Sequence, residues 1–357
     1  MHIPDNYLSP SSCAVLAVLT APVWVASVKR VSREFPKERV SALGVAAALS
    51  FLAMMFNVPL PGGTTGHAVG GTLLAILLGP EAACLALTIA LAIQALLFGD
   101  GGVLAFGANC FNMAFILPFG GRLVYDLLRK ATRSADGTKS DLVCVALASY
   151  AGINFAALAA GVEFGIQPAL FHTPEGQALY CPYPLSVSIP AMAIGHLTIF
   201  GLAEAVFSVF VYAFVRKTAP DFAASSVFLP KTTDENENGT ETATSVQPTL
   251  RFGSLYLLVA LLALISPLGL LAEGTAWGEW GADEIASVET GGEELGYTPE
   301  GMTSGFEWSS LIPDYSAPGT PEWLGYILSA VAGVALCVVL FKLATLLPSR
   351  SGETAGK

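Results

Sequence analysis

The sequence predicts an all-α polytopic membrane protein with nine membrane-crossing segments, seven in an amino-terminal bundle and two more in a second block. Three observations predict it. The 357 residues are 53% hydrophobic and only 13% charged, whereas soluble domains carry about 25% charged residues. Apolar runs close to the roughly 20 residues that cross a bilayer recur along the chain. The 17 Lys and Arg residues fall on or beside alternate connecting segments, as the positive-inside rule requires.

The first apolar run covers 11–30 and the second 40–57. A third, shorter one follows Gly66–His67 and ends at Leu78. Runs at 81–98, 103–120, 142–165 and 188–215 complete the first block, and runs at 254–272 and 323–347 form the second. With the amino terminus outside and each run crossing once, the inside segments are 29–39, 79–80, 119–141, 216–253 and the carboxyl-terminal tail. Leaving out the short third run would send the later basic loops to the wrong face, so it counts as a crossing. Met1, His2 and His67 then lie on the outer side of a cell membrane and the carboxyl terminus is cytoplasmic. Residues 1–10 have neither the basic region nor the cleavage site of a signal peptide, so Met1 is expected to be the mature start.

The domain organisation follows the same pattern. Residues 1–217 form the seven-span block. Residues 218–253 are a cytoplasmic linker whose polar stretch KTTDENENGTETATSVQPT at 231–249 lacks any apolar period and is expected to be disordered. Its Asn238–Gly239–Thr240 matches a glycosylation acceptor, but an inside-facing linker would not meet that machinery. Residues 254–347 hold the last two spans, and 348–357 are a cytoplasmic tail. Between those spans the outer loop 273–322 carries eleven acidic residues and no basic one. Such a loop could concentrate cations at the membrane surface, or it could be solvated charge with no further role. The six cysteines are scattered without a CxxC pair, mostly inside apolar runs, and read as small core residues.

Four histidines, His2, His67, His172 and His196, are the whole inventory. His2 stands beside the terminal amine. The amine nitrogen, the His2 amide nitrogen and its Nδ1 can close one five-membered and one six-membered ring around a single ion. Three nearly coplanar nitrogens suit metals that gain from tetragonal geometry, Cu(II) and Ni(II) with Co(II) also possible. Hard ions such as Mg²⁺ and Ca²⁺ fit poorly. His67, in PGGTTGHAVGG on the same side, is the candidate for a fourth nitrogen, since Gly62, Gly63 and Gly66 let backbone approach closely. A frayed terminus for His2 and a helix-capping role for His67 are the alternatives.

His196 and Glu204 lie eight residues apart in one span, a little over two helical turns, so both point to one face with Glu204 about 12 Å deeper. Ionisable groups inside a span face a bundle interior or a pathway. The separation is too great for one shared ion, so a role behind the ligands or in helix packing is expected for both. His172 reads as a surface residue. Ala17 with Ala21, and Ala42 with Ala46, permit close helix approach without naming a partner. No GxxxxGK[ST], HExxH or GxSxG occurs, so neither a P-loop nor a familiar hydrolytic centre is present.

The segments MHIPDNYLSP, GGTTGHAVGGTLLAILLGP, FGDGGVLAFGANCFNMAF, VEFGIQPAL with YCPYPLSVSIPAM, and HLTIFGLAEA resemble, in order, the signature regions of the cobalt- and nickel-specific substrate-binding (S) components of energy-coupling-factor (ECF) transporters. The resemblance covers residues 1–217. It implies a seven-helix bundle in which the amino terminus enters the core, with Met1 giving its amine, His2 its amide and imidazole nitrogens, and His67 the fourth nitrogen. It also implies an ECF-type ABC importer with a transmembrane coupling subunit and two cytoplasmic ATPase subunits, in which this chain is not itself an enzyme. Co²⁺ or Ni²⁺ is then the transported ligand, no cofactor is expected, and the partners are these subunits and membrane lipid, with no nucleic acid.

The second block is similar to the small accessory component of the same systems, SPLGLLAEGTAWGEW being the best match. It departs from it at 313–319, where PDYSAPG stands in place of the frequent Pro-Asp-Gly-Leu/Phe-Glu stretch. Two readings of a different class stay open. One is a membrane metal sensor or structural subunit that binds without moving its ion. The other is an intramembrane metalloenzyme, which would need an open coordination position with an acid or base beside it.

Overall fold

The structure is a computed structural model that describes residues 1–35, 37–60, 64–135, 137–218, 253–272, 274–290 and 293–346. Most of the expected linker, Asn238 within it, the tail 348–357, and Gly62 and Gly63 lie outside the described residues.

Ser9 opens the first helix, α1 (Pro10–Glu34): its hydroxyl accepts from the Ser12 amide, and Pro10 stands at the first helical position, where no amide hydrogen is required. The next helix, α2 (Lys37–Met55), leads into an antiparallel hairpin of β1 (Val58–Leu60) and β2 (Thr64–Gly66), with Pro59 opposite Thr65. Then come α3 (Gly71–Leu78) and α4 (Pro80–Ile93), the latter extended by a π turn at Gln94–Phe98. The short α5 (Phe106–Asn109) continues through a π segment at Cys110–Ile116 into α6 (Leu117–Thr132). After α7 (Lys139–Gly165) and α8 (Gln167–Leu170), α9 (Leu185–Gly195) continues through a π turn at His196–Phe200 into α10 (Gly201–Thr218). The second block contains α11 (Gly253–Ile265), the short α12 (Glu300–Thr303) and α13 (Glu322–Leu346).

Helix is present at all nine predicted runs. Among the described residues, six helices are long and apolar enough to cross a membrane: Pro10–Glu34, Pro80–Phe98, Lys139–Leu170, Leu185–Thr218, Gly253–Leu271 and Glu322–Ala344. The apolar part of α2, Ala42–Met55, is shorter. The third predicted run differs most from a simple crossing. With eight residues, α3 is about 12 Å long, well short of the ~30 Å hydrocarbon core. All eight of its residues are buried, as are the preceding residues 65–70. Irregular backbone is tolerated at membrane depth only where protein surrounds it, and here the bundle surrounds it.

Polar groups separate to the two ends of the bundle. At one end the buried Asp141 accepts from the hydroxyls of Tyr125 and Tyr212, both at 2.7 Å, and from the Gly137 amide at 2.8 Å. Those contacts tie α6, α7 and α10 together near Arg129 and Arg216. The other end carries the amino terminus, the hairpin and the long loop of the second block.

The second block lies along α2. A Cβ on Gly44 would come within 2.9 Å of the Val338 Cα, so only glycine lets α13 approach this closely. Nearby, the Tyr326 hydroxyl donates to the Met55 carbonyl at 2.8 Å. Against lipid, α1 presents Val15, Val18, Leu19, Val25 and Val28, all exposed. The six cysteines are buried and none forms a disulfide.

Candidate functional site

Residues 1–9 plug one end of the bundle, with 1–3 and 7–9 buried and 4–6 partly exposed. Ile3, Tyr7 and Leu8 are fully enclosed, Met1 is 6% exposed and His2 only 2%. Burying a polypeptide end leaves backbone groups that need partners, and the bundle supplies several. The Asn109 side chain accepts from the Ile3 amide at 2.7 Å and donates to the Ile3 carbonyl at 3.0 Å, completing the pairing a neighbouring strand would supply. Gly102 N donates to the Ile3 carbonyl at 2.8 Å. Asp5 accepts from Leu104 at 2.7 Å and Val103 at 3.1 Å; burial pushes its carboxyl up, against the opposing pull of those amides. Further along, Gln167 accepts from the Ser9 amide and Cys181 N donates to the Tyr7 carbonyl.

This scaffold brings the two histidines together across 65 residues of sequence. The Nε2 of His67 lies 3.2 Å from the Nδ1 of His2. His67 Nδ1 is 3.2 Å from the Ala68 carbonyl, which only accepts, so Nδ1 carries the proton and Nε2 presents its lone pair to His2. His2 Nδ1 also faces Asp100 Oδ1 at 3.1 Å. With an acceptor on each side, it is the donor, while its Nε2 is buried without a partner. Among the described residues, the His2 main-chain amide, the middle nitrogen of the expected chelate, makes no hydrogen bond. The terminal amine donates to Glu279 Oε1 at 3.1 Å.

The loop after His67 is held from α10. Glu204, fully buried, accepts from Val69 N at 2.7 Å and from Gly70 N at 3.0 Å with each carboxylate oxygen. A carboxylate at the start of α3 satisfies amides that no helical turn precedes. His196 is also buried, but its Nδ1 turns back to the Met192 carbonyl at 2.8 Å and its ring meets Phe200 edge to face. Phe200 covers Gly66, where a Cβ would lie 2.7 Å from the ring. The π turn at His196–Phe200 shifts the register that eight residues of unbroken α-helix would give. His172 is exposed and contacts its own neighbour, Thr173.

Above the histidines opens a cavity of about 590 Å³. Its lining includes His2, His67, Asp100, Glu279, Asp314 and Glu322, so two imidazoles form its floor and four carboxylates its walls. Among the described residues, no group of three or more His, Cys, Asp or Glu side chains is spaced to hold a metal. The main-chain nitrogens of residues 1 and 2 could serve a metal here as further donors. Two ligands ~2.1 Å from one ion and at right angles are about 3 Å apart, close to the 3.2 Å between the imidazole nitrogens.

The family model described as the cobalt uptake substrate-specific transmembrane region (CbiM) matches residues 2–222. The chain belongs to this family. A second model, the PDGLE domain, matches residues 251–350 even though PDYSAPG stands at 313–319. This CbiM-family chain is 47% identical over 344 residues to the probable fused nickel transport protein LarMN of Lactiplantibacillus plantarum, covering 96% of this chain and 97% of that protein. It is 44% identical over 350 residues to the fused nickel transport protein NikMN of Rhodobacter capsulatus, with 95% of both covered. A crystal structure of a truncated transition metal transporter is similar with a TM-score of 0.57 and 51% identity, over 61% of this chain and 99% of that one. With its apolar helices, the CbiM-family chain is a multi-pass membrane protein.

Four residues at the site were not singled out in the sequence. Asp100 ends an apolar run in FGDGG, where an acid flanked by glycines was a usable signal. Asn109, inside an apolar helix, was another, because a buried amide there needs partners. Glu279 is one of eleven acids in its loop and Tyr315 one of ten tyrosines in the chain, and nothing local distinguishes either.

Proposed function

We propose that this chain is the substrate-specific membrane component of an ECF-type importer for Ni²⁺ or Co²⁺, fused to its accessory component. The observation that carries the reading is the convergence of the Met1 amine, the unpaired His2 amide, His2 Nδ1 and His67 Nε2 beneath an acidic cavity. Residues 1–217 act as the S-component, 218–253 as a linker and 254–347 as the accessory part, with the amino terminus outside and the carboxyl terminus cytoplasmic. The names of the fused relatives support nickel, and that of the family supports cobalt.

In this reading a hydrated dication enters the cavity from outside, drawn by its carboxylates. The four nitrogens then replace its water in one plane, an arrangement that Ni²⁺ and Co²⁺ accept and hard Mg²⁺ and Ca²⁺ do not. Met1 and His2 supply three nitrogens from one buried end, and His67 supplies the fourth from a backbone fixed by Glu204. Asn109 and Asp5 seat the chelate in the bundle. The partners are a transmembrane coupling subunit and two cytoplasmic ATPases, whose hydrolysis drives release of the ion inside.

The test is uptake of radioactive Ni²⁺ and Co²⁺ by cells that produce this chain together with ECF-type coupling and ATPase subunits. Accumulation above that of cells lacking the chain, lost in His67→Ala, supports the reading. Accumulation no greater than that of cells lacking the chain overturns transport. Unchanged binding by calorimetry after insertion of one residue between Met1 and His2 overturns the chelate.

A further inference from the structure

The second block grips both ends of the amino-terminal chelate. Glu279 Oε1 contacts the terminal amine directly at 3.1 Å. Tyr315 donates its hydroxyl to Asp100 Oδ2, and Gln94 donates to the same oxygen at 3.0 Å. The other oxygen, Oδ1, faces His2 Nδ1 at 3.1 Å. Tyr315 is itself fixed: its ring stacks on Phe98 with centroids 4.7 Å apart, and its carbonyl accepts from Ser329 at 2.9 Å.

The loop is built to aim Glu279. Trp277 and Trp280 flank it in sequence, and both rings pack on Tyr183 at 5.3 and 5.8 Å. Farther along, Asn6 and Phe306 exchange two hydrogen bonds of 2.9 Å, so the loop also clasps the plug. Asp314 and Glu322 line the same cavity, yet neither reaches a nitrogen of residues 1 or 2. Met1 is buried and Glu279 only partly exposed, which separates this pair from a fully exposed ion pair of little consequence.

We propose that Glu279 and Tyr315 are positioning residues for the metal chelate, Glu279 through the amine and Tyr315 through Asp100 and His2. A ligating amine keeps two N–H bonds, and a carboxylate accepting one of them fixes the direction of the lone pair and strengthens the nitrogen as a donor. Asp100, held in place by Tyr315 and Gln94, orients the His2 ring and sets a negative charge beside the dication. Outer partners of this kind are worth about 10–100-fold in metal affinity. The second block is thereby part of the binding site. This inference rests on the chelate reading above, and its test separates the two.

The experiment measures Ni²⁺ binding to the purified full-length protein by calorimetry, with the ligand-field absorption spectrum recorded at saturation. Glu279→Ala weakens binding about 10–100-fold, Glu279→Asp restores part of the loss, and the four-nitrogen band keeps its position. Tyr315→Phe, which keeps the packed ring, weakens binding about tenfold. Glu289→Gln, at an exposed acid of the same loop that does not line the cavity, leaves affinity unchanged. Affinities of the Glu279 and Tyr315 variants within about twofold of the parent overturn the proposal. So does an equal loss in Glu289→Gln, because a general field of negative charge would then be the cause. His67→Ala reads the chelate independently: its loss of binding, alongside an unaffected Glu279→Ala, removes the positioning role and keeps the nitrogen site. Unchanged binding in His67→Ala removes both.

Discussion

Glu204 holds Gly70 with both carboxylate oxygens, each 3.0 Å from the amide, and reaches Val69 at 2.7 Å. The contact joins α10 to the backbone that immediately follows His67. Removing charge from this group leaves two buried amides at the start of α3 with a weaker acceptor. Hydrogen bonds to a charged group contribute about 1.5–3 kcal/mol. Glu204→Gln is expected to lower stability by about 2 kcal/mol and weaken Ni²⁺ binding about tenfold, because His67 loses its fixed direction. Thermal unfolding in detergent and calorimetry check it. A loss of stability without a change in affinity would limit Glu204 to a structural role.

Asn109 does for the plug what Glu204 does for the His67 loop. It is 2% exposed, and its side chain accepts from the Ile3 amide and donates to the Ile3 carbonyl, which also accepts from Gly102 N. Asn109→Leu keeps much of the volume and leaves the Ile3 amide without its acceptor, at about 1–3 kcal/mol, while the Ile3 carbonyl keeps the Gly102 amide. The cost falls on seating residues 1–9. The expected result is a folded bundle whose amino terminus becomes accessible to aminopeptidase and whose metal affinity falls at least about tenfold. An amino terminus as resistant as the parent's would refute it.

The sequence displayed the helices because apolar runs of bilayer length are local signals. It displayed His2 and His67 because histidines are few and the chelate rings close within two residues. The depth of α3 was not legible, since hydropathy measures the apolar character of a run and says nothing about whether eight residues bridge a bilayer or lie inside a bundle. The pairing of Glu204 with the Val69 and Gly70 amides was hidden for a similar reason. It depends on how α10 packs against α3, and the π turn at His196–Phe200 changes the face that helical spacing assigns. The contact of Glu279 with the Met1 amine spans 278 residues and depends on a loop clamped by two tryptophans.

Gly102 is where the plug presses closest on the bundle. A Cβ there would lie 2.5 Å from the Asp5 amide nitrogen, and the atoms it meets are mostly backbone, which cannot swing aside. Gly102→Ala is therefore expected to unseat residues 1–5 and abolish high-affinity binding while the spans stay folded. Circular dichroism should show unchanged helix content, and calorimetry should show no binding in the range of the parent. Gly176→Ala makes a useful contrast: nothing lies within 4 Å of its Cβ, although its φ of +89° makes the change locally strained. It should leave affinity intact.

Loading the chelate has a proton balance that distinguishes it from binding by carboxylates. The terminal group donates to Glu279 as an ammonium and the His2 amide carries a hydrogen; a metal bound to both nitrogens displaces one proton from each. The proton on His2 Nδ1 need not leave, because it moves to the buried Nε2, which accepts from no donor. Calorimetry of Ni²⁺ binding in buffers of different ionisation enthalpy should therefore give a release of about two protons per ion. Since protons compete with the metal, affinity rises with pH, by up to about 100-fold per pH unit where both protons are displaced. Ni²⁺ held only by Asp100, Glu279 and their neighbours on the cavity wall would release close to none and follow a shallow pH profile. A measured release near zero would thus move the ion from the nitrogens of Met1 and His2 to the carboxylates above them.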